Sequence, residues 1–261
     1  MAETVVWTKD SHVGVITLNR PQVYNAFNQQ MNQELLQALK EMGKDHEVRA
    51  VVITGAGKAF CSGQDLNDRS DPHVQQLSLG ESVRNRYNPI VKAIAEMEKP
   101  VIAMVNGVAA GAGCSLALAC DLRIISDRAK FVEAFVRIGL VPDSGSSYFL
   151  PRLVGYGRAM ELLLSGRDVE AEEAVQIGMA NRLVSHERLE DETLNWAKQL
   201  AQGPTKTMGL IKRSLNKAMD SGLDEALEYE ACMQEIAGKS EDFQEGIRSF
   251  AEKRAPRFSG K

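Results

Sequence analysis

The sequence predicts an α/β fold with mostly parallel strands, on three observations. Residues 50–54 and 100–105 are short, almost wholly apolar runs, as expected of strands buried on both faces, and each leads into a glycine-bearing loop. A segment with helical periodicity precedes the first run and a helix of small residues follows the second, so strand, loop and helix alternate. From about Arg158 onward the pattern is helical almost throughout.

In chain order, residues 4–8 and 13–18 read as two short strands, with Asp10, Ser11 and His12 as the turn between them. Arg20-Pro21 stops the second strand. Asn28 is then a good helix N-cap, because its side-chain oxygen can accept from an amide that the helix leaves unpaired. Met31, Leu35, Leu39 and Met42 follow at helical spacing. The buried strand at 50–54 ends in Gly55. The polar stretch 67–80, which holds Pro72 and no apolar periodicity, reads as a mobile loop. The strand at 100–105 runs into the small-residue loop 106–113, then a helix at 115–119, then a third strand at 122–126. In the last third a short strand is expected near 180–184. Met208, Ile211, Leu215 and Met219 mark one helix, and 225–237 and 241–250 suggest two more. Helices with no strands to cover need another surface, so this block is a cap or an oligomer interface. The division expected is a core over residues 1–200 and a C-terminal helical region over 201–261 that serves oligomerisation and covers the active site.

Composition excludes several function classes. The 261 residues are 44% apolar and 25% charged, and 31 Lys and Arg against 35 Asp and Glu leave a net charge of −4, which offers no basic surface for nucleic acid. The four cysteines, Cys61, Cys114, Cys120 and Cys232, form neither a C-x-x-C pair nor a zinc spacing, which points to a reduced cytoplasmic setting. Met1-Ala2-Glu3-Thr4 lacks the basic start of a signal peptide, and no apolar run reaches the length of a membrane span. No nucleic-acid or membrane partner is expected.

Motif by motif, the common chemistries fall away. There is no G-x-S-x-G elbow, and His12, His46, His73 and His186 all lie outside the glycine-rich segments, so a Ser-His-Asp triad has no base. Gly55-Ala56-Gly57-Lys58 lacks the glycine spacing and the Ser or Thr of a phosphate loop, and Gly111-x-Gly113 lacks the third glycine of a dinucleotide fingerprint. No metal-ligand spacing is present. What remains is a pair of loops at strand ends: Cys61-Ser62-Gly63-Gln64-Asp65-Leu66 and Gly111-Ala112-Gly113-Cys114-Ser115. Small residues let the backbone approach a ligand and present its N–H groups, and the second loop adds the positive end of a helix. Facing each other, the two would form an oxyanion hole for an enolate or tetrahedral anion. The other reading, that these glycines serve turns and close helix packing, stands beside it. Asp143, in Val141-Pro142-Asp143-Ser144-Gly145, likewise has two readings. Among apolar neighbours its carboxyl would have a raised pKa and could shuttle a proton. Alternatively it caps a helix beginning near Ser144.

Taken together, Leu18-Asn19-Arg20-Pro21 with Asn25-Ala26, Phe60 to Leu66, Asn106-Gly107 to Cys114, and Leu150-Pro151-Arg152 resemble the enoyl-CoA hydratase/isomerase (crotonase) superfamily. The likeness runs from about residue 4 to the closing Pro256-Arg257-Phe258-Ser259-Gly260-Lys261. It implies a spiral of β-β-α units with C-terminal helices that pack trimers, often paired into hexamers, and an acyl-CoA substrate with no separate cofactor. It implies that the oxyanion hole is made by the backbone N–H groups of Gln64 and Ala112. It also implies that Gln22, Val23 and Tyr24, together with Cys61, Ser62, Gly63, Asp65, Leu66 and Gly111, flank the substrate and its coenzyme A, with Ser115 and Phe135 at the acyl end. Phe258 and Lys261 would reach the coenzyme of a neighbouring subunit; taken alone, that tail reads as a frayed basic end.

The departures from the family pattern sharpen the expectation. Hydratases of the family carry two glutamates that activate water, and the matching positions here are Ser115 and Phe135. Glu133 is two residues from the second position, so its side chain is expected to point elsewhere. Asp143 is then the sole carboxylate at a family catalytic position, which suits a proton relay better than hydration. Phe131, Ala134-Phe135, Gly139-Leu140 and Pro142-Asp143 resemble the branch that isomerises 1,2-epoxyphenylacetyl-CoA, which implies ring-epoxide opening and 3-enoyl to 2-enoyl migration. Phe131 and Phe135 either wall an aromatic acyl group or belong to the core. The rival readings are a 2-enoyl-CoA hydratase, an aryl-CoA dehalogenase using Asp143 as nucleophile, and a non-catalytic RNA-binding relative.

Overall fold

The computed structural model describes residues 3–66 and 78–261. Its strands form two sheets. The larger has the order β1-β2-β3-β5-β7-β10, with β1 Val5–Asp10, β2 Val13–Leu18, β3 Ala50–Gly55, β5 Val101–Val105, β7 Leu122–Ser126 and β10 Arg182–Val184. β1 and β2 are an antiparallel hairpin, and every later pairing in this sheet is parallel. The smaller sheet has the order β4-β6-β8-β9, with β4 Ala59–Cys61, β6 Val108–Ala110, β8 Lys130–Val132 and β9 Asp168–Glu170.

The two sheets arise from one repeating unit. β3, β5 and β7 are each followed after a tight corner by a three-residue strand, β4, β6 and β8 respectively, so each turn of the chain adds one strand to each sheet. The corners are riveted by asparagine side chains. Asn25 Nδ2 donates to the Ala56 and Ala59 carbonyls at 2.9 and 2.8 Å, and Asn106 Nδ2 donates to those of Gly55 and Gly57, both at 2.9 Å. These bonds satisfy buried carbonyls that a corner cannot pair through a ladder.

β3 and β5 are buried along their whole length, as their apolar runs require. Their alternate residues face two cores. Val51, Ile53, Val101, Ala103 and Val105 point into the main core, which α1 Gln29–Lys44 enters with Met31, Leu35, Leu39 and Met42. Ala50, Val52, Ile102 and Met104 point the other way, onto Leu189, Ala197 and Ala201 of α7 Leu189–Ala201. The other described helices of six residues or more are α2 Asn88–Ala95, α3 Ala112–Ala119, α4 Ser146–Val154, α5 Tyr156–Ser165, α6 Ala171–Gln176, α8 Thr205–Ala218, α9 Leu223–Gly238 and α10 Glu241–Ala251. Asn28 caps α1, its side chain accepting from the Met31 amide at 2.9 Å.

Several expectations shift. β1 starts at Val5 and continues to Asp10, because Ser11 and His12 make the turn alone at φ 50° and 66°. Helical structure begins at Ser146 rather than near Arg158, with Pro151 inside α4 and a break at Gly155. Of the expected loop 67–80, residues 67–77 lie outside the described residues, and Ser78 caps a helical turn, Leu79–Ser82, that leads towards α2. The apolar stripe of α8 is not covered: Ile211, Leu215 and Met219 are exposed, as are Leu227 on α9 and Phe250 on α10. Among the described residues no helix is long and apolar enough to cross a membrane.

The C-terminal helices are tied to the strands by two cations, Arg49, which is buried, and Lys212, which is half-buried. Arg49 donates to Thr205 Oγ1 at 2.9 Å and to the Phe258 carbonyl at 3.0 Å. Lys212 meets Asp121 at 2.8 Å, and Asp121 also accepts from the Val101 amide at 2.8 Å.

Candidate active site

The first loop leaves β4 at Cys61 and is held by a single parallel bridge between Phe27 and Gln64. The Phe27 amide donates to the Gly63 carbonyl at 2.7 Å and the Asp65 amide to the Phe27 carbonyl at 2.9 Å. Successive amides along an extended chain point to opposite sides, so this pairing turns the Gln64 N–H away from Phe27. The loop is also anchored by an Arg20–Asp65 ion pair at 2.9 Å, and Arg20 donates further to the Ala26 carbonyl at 2.6 Å. Gly63 sits at φ +94°, where a side chain would be strained.

The second loop leaves β6 at Ala110. Gly111, at φ 51° and ψ −124°, starts α3 and donates its N–H to the Val132 carbonyl at 2.8 Å. The first intrahelical bond is the Ser115 amide to the Gly111 carbonyl at 2.9 Å. The Ala112 N–H therefore has no partner within the helix and carries part of the positive end of its dipole. The loops touch. A Cβ on Gly63 would lie 2.8 Å from the Ala110 carbonyl oxygen and 3.6 Å from the Ala112 nitrogen, and one on Gly113 would lie only 2.1 Å from the Cys61 carbonyl oxygen.

Asp143 approaches from the connection between the one-turn helix Ala134–Ile138 and α4. It does not cap α4: the N-cap is Gly145, and no side chain fills that role. Two consecutive positive-φ residues, Ser144 at 52° and Gly145 at 89°, swing the chain so that the carboxylate leaves the helix axis. Its Oδ1 accepts from Ser144 Oγ at 2.7 Å. Burial pushes the Asp143 carboxyl above its ordinary value, against the opposing pull of that hydroxyl. Asp143 lines a cavity of about 380 Å³ with Gln64, Val83, Tyr87, Leu140 and Val141, and it is the one carboxylate among the described lining residues. Tyr87 stands edge-on to Phe27, ring centres 5.8 Å apart, so the cavity wall is braced by the residue that holds the first loop.

The remaining predicted residues are distributed as follows. Gln22 and Val23 lie in a short turn, Pro21–Val23, with Tyr24 exposed beside it, and this turn meets Ser62, whose amide donates to the Tyr24 carbonyl at 3.0 Å. Leu66 is exposed. The Cys61 side chain faces inward: it is fully buried, donates to the Asn25 carbonyl at 3.1 Å, and burial pushes its thiol up to about 12. Asp65 is taken up by Arg20. Phe131 is core, and Phe135 is buried beside the turn that leads to Asp143. Ser115 is wholly buried, its hydroxyl 2.8 Å from Ser146 Oγ and 3.1 Å from the Asp143 carbonyl oxygen. The tail is docked on its own chain. The Ser259 and Gly260 amides donate to Asp242 at 2.6 and 2.9 Å, so Phe258 and Lys261 lie along α10 and outside the set that lines the cavity. Sequence reasoning missed Glu133 as a buried group. Its neighbours Val132 and Phe135 are apolar, which was the one available signal.

A profile of the enoyl-CoA hydratase/isomerase family matches residues 8–261. The chain belongs to this family. It is 45% identical to 1,2-epoxyphenylacetyl-CoA isomerase of Escherichia coli (strain K12), with 100% of each chain covered. It is 42% identical to a protein of Rhodobacter capsulatus named "Probable enoyl-CoA hydratase", with 99% of this chain and 98% of the relative covered. The crystal structure of enoyl-CoA hydratase from Bacillus anthracis superposes with a TM-score of 0.91 at 31% identity, covering 99% of this chain and 100% of that one. The family acts on acyl-CoA thioesters, and the spiral of paired strands with C-terminal helices is its fold.

Proposed function

We propose that this family member is an acyl-CoA isomerase. In this reading it moves a double bond from the 3- to the 2-position of an enoyl-CoA, or opens a ring epoxide of an aryl-acetyl thioester, with Asp143 as the proton shuttle. The observation that carries the reading is the pairing of one carboxylate, Asp143, with the Gln64 loop in a single cavity; the sequence resemblance adds that Ser115 and Phe135 match the positions at which hydratases of the family carry glutamates. The name of the Escherichia coli relative supports it.

In the mechanism, ionised Asp143 removes a proton from the carbon next to the thioester carbonyl. The electron pair moves onto the thioester oxygen, which accepts from the Gln64 and Ala112 amides where the two loops meet. Asp143 then returns the same proton two carbons along, and no atom is gained or lost. Gln22, Val23, Tyr24, Ser62 and Leu66, exposed or half-exposed beside the loops, would hold the coenzyme portion. The exposed apolar faces of α8–α10 suit a homotrimer or a dimer of trimers, in which Phe258 and Lys261 would meet a neighbour's coenzyme. The three buried thiols suit a reduced, cytoplasmic setting, and the helical region after residue 200 acts as the oligomerisation unit.

The deciding experiment follows the ultraviolet absorbance of the conjugated thioester with 3-enoyl-CoA and 2-enoyl-CoA supplied separately. Conjugation should appear from the first and persist in the second. Rapid loss of conjugation from the second would make the protein a hydratase, as the names of other relatives suggest for those proteins.

A further inference from the structure

Behind the Asp143 turn lies a buried polar chain that the proposed mechanism does not use. Glu133 Oε1 is 2.9 Å from Ser146 Oγ, Ser146 Oγ is 2.8 Å from Ser115 Oγ, and Ser115 Oγ is 3.1 Å from the carbonyl oxygen of Asp143. Glu133 is 3% exposed, and its Oε2 is buried with no hydrogen-bond partner.

Counting protons decides how the chain is wired. Each serine hydroxyl carries one hydrogen and the Asp143 carbonyl carries none, so three links share two serine hydrogens. If Glu133 were ionised, Ser146 would donate to it. Ser115 would then have to choose between Ser146 and the Asp143 carbonyl, and one link would be lost. All three form together only when Glu133 carries a proton on Oε1 and donates it to Ser146; Ser146 then donates to Ser115, and Ser115 to Asp143. The Gly111 carbonyl, which accepts from the Ser115 amide at 2.9 Å, is a second acceptor for the Ser115 hydroxyl at 3.2 Å and competes only for the last link of the chain.

We infer that Glu133, in its neutral carboxylic-acid form, is a positioning residue for Asp143, anchoring the catalytic turn through Ser146 and Ser115. The chain ends on the backbone of the very residue whose carboxylate must be aimed at the substrate, next to Ser144, a non-glycine residue held at positive φ. A neutral acid also lowers the cost of the orphaned Oε2, which an ionised carboxylate would leave buried and charged. The titratable groups facing Glu133 are Asp143 across the turn and Cys114 on α3. Burial keeps the Cys114 thiol protonated; that thiol and the Ser146 hydroxyl pull the Glu133 carboxyl down, while the charge of ionised Asp143 opposes a second anion beside it. Burial, the largest influence, raises the Glu133 carboxyl to about 7. Above that pH the anchor comes apart.

The test rests on the isomerase reading for its kinetic half and is independent of it for the other half. The kcat of wild type on 3-enoyl-CoA should fall as pH rises through about 7. Glu133→Leu should lower kcat by about tenfold or more with little change in KM. Glu133→Gln, whose amide donates to Ser146 without titrating, should rescue kcat to within about threefold and abolish the alkaline limb. Equal losses in both variants, or an alkaline limb that persists in Glu133→Gln, would overturn the proposal. Two readouts need no turnover. The infrared carbonyl band of a neutral acid, titrating near 7, should vanish in Glu133→Gln and remain in Asp143→Asn. Amide hydrogen exchange over residues 140–146 should be faster in Glu133→Leu than in Glu133→Gln. A protein without isomerase turnover would refute the functional reading alone. Absence of the band, or identical exchange in the two variants, would refute the role of Glu133.

Discussion

Gly63 and Ala110 meet backbone to backbone: a methyl group on Gly63 would lie 2.8 Å from the Ala110 carbonyl oxygen, with the Ala112 nitrogen 3.6 Å away. The contact leaves no room for a side chain, and φ +94° adds strain to any substitution there. Gly63→Ala is expected to push the two loops apart and spoil one amide donor. The expected result is a fall in kcat of roughly 100-fold, the usual cost of losing an oxyanion donor, in a chain that still folds. Steady-state kinetics with circular dichroism as a folding control would check it.

Asp143→Asn keeps the shape of the side chain and an oxygen for the Ser144 hydroxyl at 2.7 Å, so stability should change by less than about 1 kcal/mol. Isomerase turnover should drop by roughly 10²–10⁴-fold. In wild type the acid limb of the rate profile should lie above the range of an ordinary aspartate, because burial holds the proton on Asp143 to higher pH. A variant with full turnover would remove Asp143 from the chemistry.

Glu133 makes a prediction about stability with a definite sign. Its carboxyl rises from 4.5 to about 7 on folding, so between those values the folded chain binds more protons than the unfolded one, and stability falls as pH rises. At ~1.4 kcal/mol per unit the contribution is about 3 kcal/mol, present below pH 4.5 and lost by about pH 7. Asp143 adds a change of the same sign, beginning at lower pH. Denaturant unfolding of wild type and Glu133→Gln across this window should show a shallower slope in the variant.

Lys212→Met tests the tie between α8 and the strands. It leaves the Asp121 carboxylate, which burial already pushes upward against the pull of Lys212, without its cation. The pair is partly exposed, so its loss should cost about 1–2 kcal/mol, less than a fully buried pair, and should appear as a lower denaturant midpoint.

Much of this was legible because the decisive signals are local. Asn28 before an apolar series at helical spacing predicts α1 and its cap, and the runs ending in Gly55 and Val105 predict β3 and β5. The second sheet was not legible, because strands of three residues such as Ala59–Cys61 are too short to show a period. The cap reading of Asp143 followed a sound local rule that two left-handed residues override. Glu133 was out of reach for a different reason: the partner that makes it matter, Ser146, is thirteen residues away and is brought to it only by the fold. The stripe of Met208, Ile211, Leu215 and Met219 was read correctly as a helix, but periodicity cannot say that three of these four residues face outward.

The β4–β6 pairing has a consequence for how this family tolerates change. Gln64 follows β4 and Ala112 follows β6, and those strands are parallel neighbours with Ala59 opposite Val108 and Cys61 opposite Ala109. Both loops therefore start from strands held at the ladder spacing, about 4.8 Å between adjacent strands, with one register shift between Ala59 and Cys61. Backbone sets that spacing, so the substitutions that disturb it are those at glycines such as Gly63 and Gly113, where a Cβ would meet the backbone of the other loop. Loop side chains and carboxylates around it can be exchanged while the spacing of the two strands stays the same.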